Sequence, residues 1–248
     1  MKKIFLYILA GSLCFSACKK DDEVETFVEP EDINVRNSYD QQAIQKFMND
    51  NYLDSQGNIK AFSSTDPSDD NEKKLSDLSP QTLPSGVIYI VRNGAQPSPG
   101  VAIETNSSAS NATQIKTMIR ANYYLATDTD GNISFSSAGT LFNTIDGNGS
   151  PSTDPIFYYV KKSVLDAATV DVAKQRSYYE IKGFQEGLKQ FNGFENTANG
   201  APYNLQGVII VPSKAAFARN SNYYNLQNRC FIFNFQIYDA KTRPADQQ

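Results

Sequence analysis

Cys230-Phe231-Ile232-Phe233-Asn234-Phe235-Gln236-Ile237-Tyr238 is the stretch that decides the fold. Phe231, Phe233, Phe235 and Ile237 occupy every second position, with Ile232, Asn234 and Gln236 between them. Strand side chains point alternately to the two faces of a sheet, so this period sets four large apolar groups on one side. Working back along the chain, Gly207 to Val211 is a second apolar run of strand length, and Val87-Ile88-Tyr89-Ile90-Val91 is a third, ended by Asn93-Gly94. Residues 117 to 126 read as a further strand, which Asp130-Gly131 turns back into Asn132 to Ser137, a hairpin by its turn chemistry. Ile156 to Val160 reads as one more strand, and Phe184, Leu188 and Phe191 are spaced for one face of a short helix. Many antiparallel strands with one short helix predict an α+β domain.

The amino terminus has a different character. Lys2 and Lys3 precede an apolar run from Ile4 to Phe15, and Ser16-Ala17 stand just before Cys18. A run of this length suits a signal-peptide core and falls short of the roughly twenty residues that span a bilayer. The small pair before Cys18 looks like a lipobox, so residues 1–17 are expected to be a lipoprotein signal peptide and Cys18 the lipidated residue; an ordinary secretory signal is the alternative. Several acyl chains on one residue would give stable anchoring. Lys19-Lys20-Asp21-Asp22-Glu23 resembles the charged run that passes some Gram-negative lipoproteins to the cell surface. The expected location is therefore the outer membrane, lipid-anchored, on its periplasmic face or at the cell surface. Residues 18–37 read as a polar tether with a coil span of about 25 Å. Ser38-x-x-Gln41 matches a capping box, and Ile44, Phe47, Met48, Asn51 and Tyr52 follow at helical spacing, with Gly57 as the stop. Residues 38–82 are thus an N-terminal helical extension and loop, residues 83–239 the main domain, and residues 240–248 a tail.

Composition excludes several chemistries. The chain has 248 residues and a net charge of −4, which argues against nucleic acid. It has no histidine, which removes Ser-His and Cys-His nucleophiles and histidine-ligated metals. With Cys14 in the signal and Cys18 carrying lipid, Cys230 is left without a disulfide partner and reads as a buried small residue or a strand-edge thiol, a poor candidate for a nucleophile. Asp128-x-Asp130-Gly131-Asn132 has a faint calcium-loop look, but lacks the ligand ladder and closing glutamate, and a hairpin turn accounts for the same residues. Asp146-Gly147-Asn148-Gly149 likewise reads as a loop rather than a metal site. No cofactor or metal is expected. The 14 tyrosines and 15 phenylalanines, with no tryptophan, could line a peptide or glycan groove, although core packing is their default role.

Five segments in order carry a family resemblance. Thr82-Leu83-Pro84-Ser85-Gly86-Val87-Ile88-Tyr89 resembles the first strand of bacterial FKBP-type peptidyl-prolyl isomerases. Ala121-Asn122-Tyr123-Tyr124-Leu125-Ala126, with Asp130-Gly131 and Phe135-Ser136-Ser137, resembles their central strand and hairpin. Ile181-Lys182-Gly183-Phe184-Gln185-Glu186-Gly187-Leu188 is similar to the opening of their single helix, and Val211 to Phe217 and Phe231 to Ile237 resemble their last two segments. The resemblance implies an antiparallel sheet curved around one short helix, with long insertions at 101–115, 140–155, 161–179 and 192–205. It also implies a chemistry that needs no histidine. An X-Pro amide isomerises slowly because twisting it loses resonance, against about 18–20 kcal/mol, and an apolar pocket can favour the twisted form without moving a proton.

By that resemblance the pocket residues are Tyr124, Phe135, Ile181, Phe184, Phe217 and Phe233. Ser136 stands where the family has an acidic residue, Phe184 where it has tryptophan, Phe217 where it has tyrosine, and Ala218 where it has glycine. A hydrogen bond is worth about 0.5–1.5 kcal/mol net and tenfold in rate is 1.36 kcal/mol, so losing two polar groups would cost about ten- to a hundredfold. Two readings follow from the resemblance. The first is a membrane-anchored prolyl isomerase of reduced activity, acting on proline-containing clients folding at the outer membrane. The second is a non-catalytic binding module, an accessory subunit of an outer-membrane export or assembly complex. A surface glycan-binding lipoprotein is a third reading, resting on the aromatic content and the anchor. An open pocket bounded by Tyr124, Phe184, Phe217 and Phe233 would favour catalysis, and a filled one the binding module.

Overall fold

The computed structural model describes residues 27–107, 109, 111–146 and 149–245. The expected signal peptide, Cys18 and most of the expected tether lie outside the described residues. In chain order the elements are helix α1 (Ile33–Asp50), strands β1 (Asn51–Leu53), β2 (Ile59–Ala61), β3 (Gln81–Thr82), β4 (Ile88–Val91), β5 (Val101–Ala102), β6 (Thr113–Thr129), β7 (Asn132–Asn143) and β8 (Ser152–Thr153), helices α2 (Lys162–Ala167) and α3 (Lys182–Leu188), and strands β9 (Asn192–Gly193), β10 (Gly207–Val211) and β11 (Cys230–Thr242). This is an α+β fold with an antiparallel main sheet and few helices.

The stretch around Phe233 forms β11, a central strand of a sheet ordered β3-β4-β10-β11-β6-β7, with β8 also paired to β6. Phe233 lies opposite Ile209 on one side and Ala121 on the other. Phe231, Phe233, Phe235 and Ile237 face a core that contains Phe184 and Leu188 of α3. The opposite face, which alternation alone would leave half polar, is covered as well. Cys230 and Ile232 pack there with Val208, Ile210 and Ile90 against Ile44 and Met48 of α1. Asn234 is buried because its side chain serves neighbouring backbone: Nδ2 donates to Gly57 O (3.0 Å) and Gly207 O (3.1 Å), and Oδ1 accepts from Ile59 N (3.3 Å). A buried amide is tolerated when its hydrogen-bonding capacity is filled in this way.

Helix α1 starts five residues before the expected Ser38. Its cap is Asp32, whose carboxylate accepts from Asn34 N at 2.8 Å, while Ser38 lies inside the helix with its hydroxyl accepting from Gln42 Nε2 at 3.1 Å. The expected tether therefore ends earlier than residue 37. The helix also ends before Gly57. Asn51 is extended and donates from Nδ2 to Phe47 O at 2.7 Å, so Asn51 and Tyr52 belong to β1, and Gly57 (φ +86°) serves the β1–β2 turn.

Three further expectations change. Ile156–Tyr158 form a turn, not a strand, with the N–H groups of Tyr158 and Tyr159 both donating to Pro155 O (2.7 and 3.0 Å). The run is buried because rings surround it, so apolar composition marked burial and not pairing. The 161–179 insertion holds α2 and two 3-10 turns, so the main domain has a second short helix. The tail expected from residue 240 instead continues β11 to Thr242, and Arg243 is buried, donating from Nη2 to Thr113 O at 2.9 Å and pairing with Asp154. The β6–β7 turn holds as expected. Asp130 (φ +52°) and Gly131 (φ +80°) are both left-handed, the requirement of a tight hairpin, and Gly131 N–H donates to the Asp128 carboxylate at 2.8 Å.

Candidate functional site

Helix α3 begins at the base of the first core, and its sequence places side chains there by spacing. Ile181, its N-cap, and Phe184, one turn on, both point into the rings of β11. The Phe184 and Phe233 rings are 4.3 Å apart between centroids, and Phe157 lies 5.5 Å from each. Phe142 of β7 closes the far side at 5.8 Å from Phe157. Phe217 follows the 3-10 turn after β10 and packs on Phe231 and Tyr224 (5.9 and 5.8 Å). Ala218 holds a left-handed backbone (φ +48°), with its N–H on Ser213 O at 2.8 Å.

Four of the six expected pocket residues, Ile181, Phe184, Phe217 and Phe233, therefore share one core. Tyr124 and Phe135 do not join them. They stack on each other at 4.9 Å on the opposite face of the sheet, beneath Phe47 of α1 at 5.7 and 5.9 Å. The cause is strand alternation: one position along a strand is the other face. Tyr123, opposite Phe231, is the tyrosine that reaches the α3 side. Burial pushes the Tyr124 phenol up. Ser136, read from sequence as a departure from the resembled pattern, donates to Leu125 O at 3.3 Å across the β6–β7 pair.

The α3-side group is closed. Ile181, Phe184, Phe217 and Phe233 are 0–3% exposed, and so is Phe157 at 1%. Phe157 occupies the place in two ways. Its ring lies among Phe142, Phe184 and Phe233, and its carbonyl accepts the Ile181 N–H at 2.8 Å. The first amides of a helix have no intrahelical acceptor and are natural donors to a ligand carbonyl. Here that donor is used internally.

A buried carboxylate fixes the covering segment. Glu180 Oε1 accepts from Val160 N (2.9 Å) and Arg176 Nη1 (3.0 Å), and Oε2 accepts from Gln185 Nε2 (3.0 Å). Arg176 also donates to Val160 O at 2.6 Å, and Gln185 to Tyr158 O at 2.7 Å. Tyr159 is stacked by two guanidiniums, Arg243 at 3.4 Å and Arg176 at 4.7 Å. Burial, with Asp154 nearby, pushes the Tyr158 phenol up, and its hydroxyl donates to Thr113 O at 2.7 Å. Phe157, Glu180, Arg176 and Tyr123 were not singled out from sequence. Phe157 lay within the run read as a strand, and only the register separates Tyr123 from Tyr124.

Outside this seal a cleft of about 600 Å³ remains, bordered by Val172, Tyr178, Lys182, Gln185, Phe217 and Asn220. Among the described residues no group of three or more His, Cys, Asp or Glu side chains is placed to hold a metal ion.

No family model and no curated protein sequence matches the chain. Among solved structures it is similar to FkpA from Escherichia coli, at 18% identity and a TM-score of 0.35, covering 66% of this chain and 53% of that one. It is also similar to a peptidyl-prolyl cis-trans isomerase from Pseudomonas syringae pv. tomato, at 9% identity and a TM-score of 0.35, covering 87% of this chain and 100% of that one. The chain spans about half the length of FkpA. Likeness at this level bears on neither activity nor substrate.

Proposed function

We propose that this protein is an FKBP-like domain of the peptidyl-prolyl isomerase kind, held at the outer membrane by lipid on Cys18, that binds exported polypeptides with its proline site closed. The segments that carry the family resemblance supply the start of β4, the β6–β7 hairpin, α3, the 3-10 turn after β10, and β11. The observation that carries the reading is Phe157, whose ring and carbonyl take up the aromatic site and the Ile181 N–H. A substrate would have to displace both. Binding then falls to surfaces other than the closed site, and the protein acts as an accessory module in export or assembly rather than as an efficient isomerase.

The test is a proline-peptide isomerisation assay on the mature chain with Cys18→Ser. Little or no acceleration at micromolar protein is expected. Acceleration in proportion to protein concentration would establish the second reading, an active isomerase. One observation favours that reading: Ile181, Phe184, Phe217 and Phe233 are still assembled together beneath α3. It requires Phe157 to swing out.

A further inference from the structure

We propose that the end of the molecule built from residues 28–35, 164–179 and 217–224 lies on the lipid surface, so that the anchor also orients the domain. The inference rests on the reading of Cys18 as lipidated. Three segments distant in sequence meet at this end. Arg219 donates to Glu31 O at 2.7 Å and also to Pro30 O, which clamps the incoming chain to the segment after Phe217. Asn220 and Ser221 border one cleft with Val172 and Tyr178. Tyr223 N–H donates to Tyr178 O at 2.9 Å, and its ring lies 5.2 Å from Tyr179. Tyr179 in turn lines a shallow apolar depression with Val164, Val170 and Ala173.

Large exposed apolar groups concentrate here. Val28 is 81% exposed, Val170 61%, Tyr223 54% and Val172 47%, and Ile33, Val35 and Val164 are also exposed. Among the described residues only Val91 shares that character elsewhere. An apolar surface gathered at one end is costly in water and marks a contact site. The length of chain identifies its occupant. Nine residues separate Cys18 from Val28, so Val28 can stand no more than about 35 Å from the lipidated residue, even fully extended. Among the described residues no helix is long and apolar enough to cross a membrane, so the contact is one of lying on the surface. Charge at this end is mixed: Lys162 pairs with Asp166 (2.6 Å) and Lys174 with Asp171 (2.8 Å) within the insertion, while Glu31 and Asp32 are exposed beside Val28 and Ile33.

The chain has no tryptophan, so a single introduced one is a clean reporter. The mature chain is coupled through Cys18 to a maleimide lipid in vesicles of phosphatidylethanolamine and phosphatidylglycerol (3:1), with or without brominated acyl chains. Val170→Trp and Tyr223→Trp, both at exposed positions, are expected to lose at least half their emission to brominated lipid, and Val91→Trp to be unchanged. Equal emission with and without bromine at both positions overturns the proposal. So does quenching that disappears when an unfolded polypeptide is added at matched vesicle concentration, which would assign the face to clients. Chemical coupling bypasses native lipidation, so failure of the lipid reading is seen separately, as an unchanged distribution between membrane and soluble fractions when Cys18→Ser is expressed in cells.

Discussion

Asp40→Ala tests how the N-terminal helix is fixed to the domain. Asp40 is fully buried on α1, and its carboxylate accepts from Arg36 Nη2 (2.9 Å), Ser213 N (2.9 Å) and Ser213 Oγ (2.5 Å). Arg36 is equally buried, its Nε has no hydrogen-bond partner among the described residues, and its other contacts are Glu29 at 3.4 Å, a third exposed, and the face of Tyr39 at 5.6 Å. Removing Asp40 leaves a buried guanidinium nearly uncompensated and strips Ser213 of its acceptor. Breaking a buried ion pair from one side costs about 3–5 kcal/mol, a large part of the ~5–15 kcal/mol that holds a typical domain folded. At about 2–4 °C per kcal/mol for this size, the melting temperature should fall by roughly 6–20 °C. Urea and thermal unfolding of the Cys18→Ser mature chain, followed by circular dichroism, measure this. The companion is Arg36→Met with Asp40→Leu. Exchanging both charges for apolar groups removes the uncompensated charge, so the double variant should be more stable than Asp40→Ala by at least ~2 kcal/mol. A loss below ~1 kcal/mol in Asp40→Ala, or a double variant no better than the single, would refute the reasoning. Either result would mean that solvent reaches the pair and that α1 is held by its apolar face alone.

Phe157→Ala should cost about 3–5 kcal/mol, with Phe157→Leu losing less than half of that, because the ring is fully enclosed; urea midpoints check both. If Phe157 is what closes the site, Phe157→Leu should raise proline-peptide binding while remaining folded, and unchanged binding in a fluorescence titration would count against the closed-site reading. Burial, with Asp40 beside it, pushes the Cys230 thiol well up, so in the Cys18→Ser chain iodoacetamide at pH 8 should label it only after denaturant is added. The same shift gives a pH dependence of defined sign. The unfolded thiol ionises near ~8.5 while the folded one keeps its proton, so stability should decline as pH rises past that value, seen as a falling urea midpoint. Gly207→Ala should destabilise strongly, since an added Cβ would lie 2.1 Å from Ile90 O in the neighbouring strand; a melting temperature within ~2 °C of the parent would contradict that packing.

Much of the fold was legible in the chain because its signals are local. The period of two through Phe231, Phe233, Phe235 and Ile237 fixed which side chains share a face, and Asp130-Gly131 fixed the hairpin, since both depend only on neighbouring residues. The spacing of Phe184 and Leu188 likewise placed α3 against the sheet. Ile156 to Val160 looks like a strand in sequence because burial and strand pairing leave the same apolar composition, and only the turn at Pro155 and the bond from Val160 N–H to Glu180 separate them.

Register and enclosure were tertiary decisions. Pairing with β11 turns Tyr123 towards α3 and Tyr124 towards α1, a difference of one residue that no composition reveals. Burial of Asn234 and Gln236 depends on segments far away in sequence, as does the capture of the Ile181 N–H by Phe157. The sequence by itself determined that four apolar groups of β11 would share one core and that Ile181, Phe184 and Phe217 would be candidates to join it. That the resulting site is closed was decided only in three dimensions, because a pocket is open or filled according to which distant side chain reaches it first.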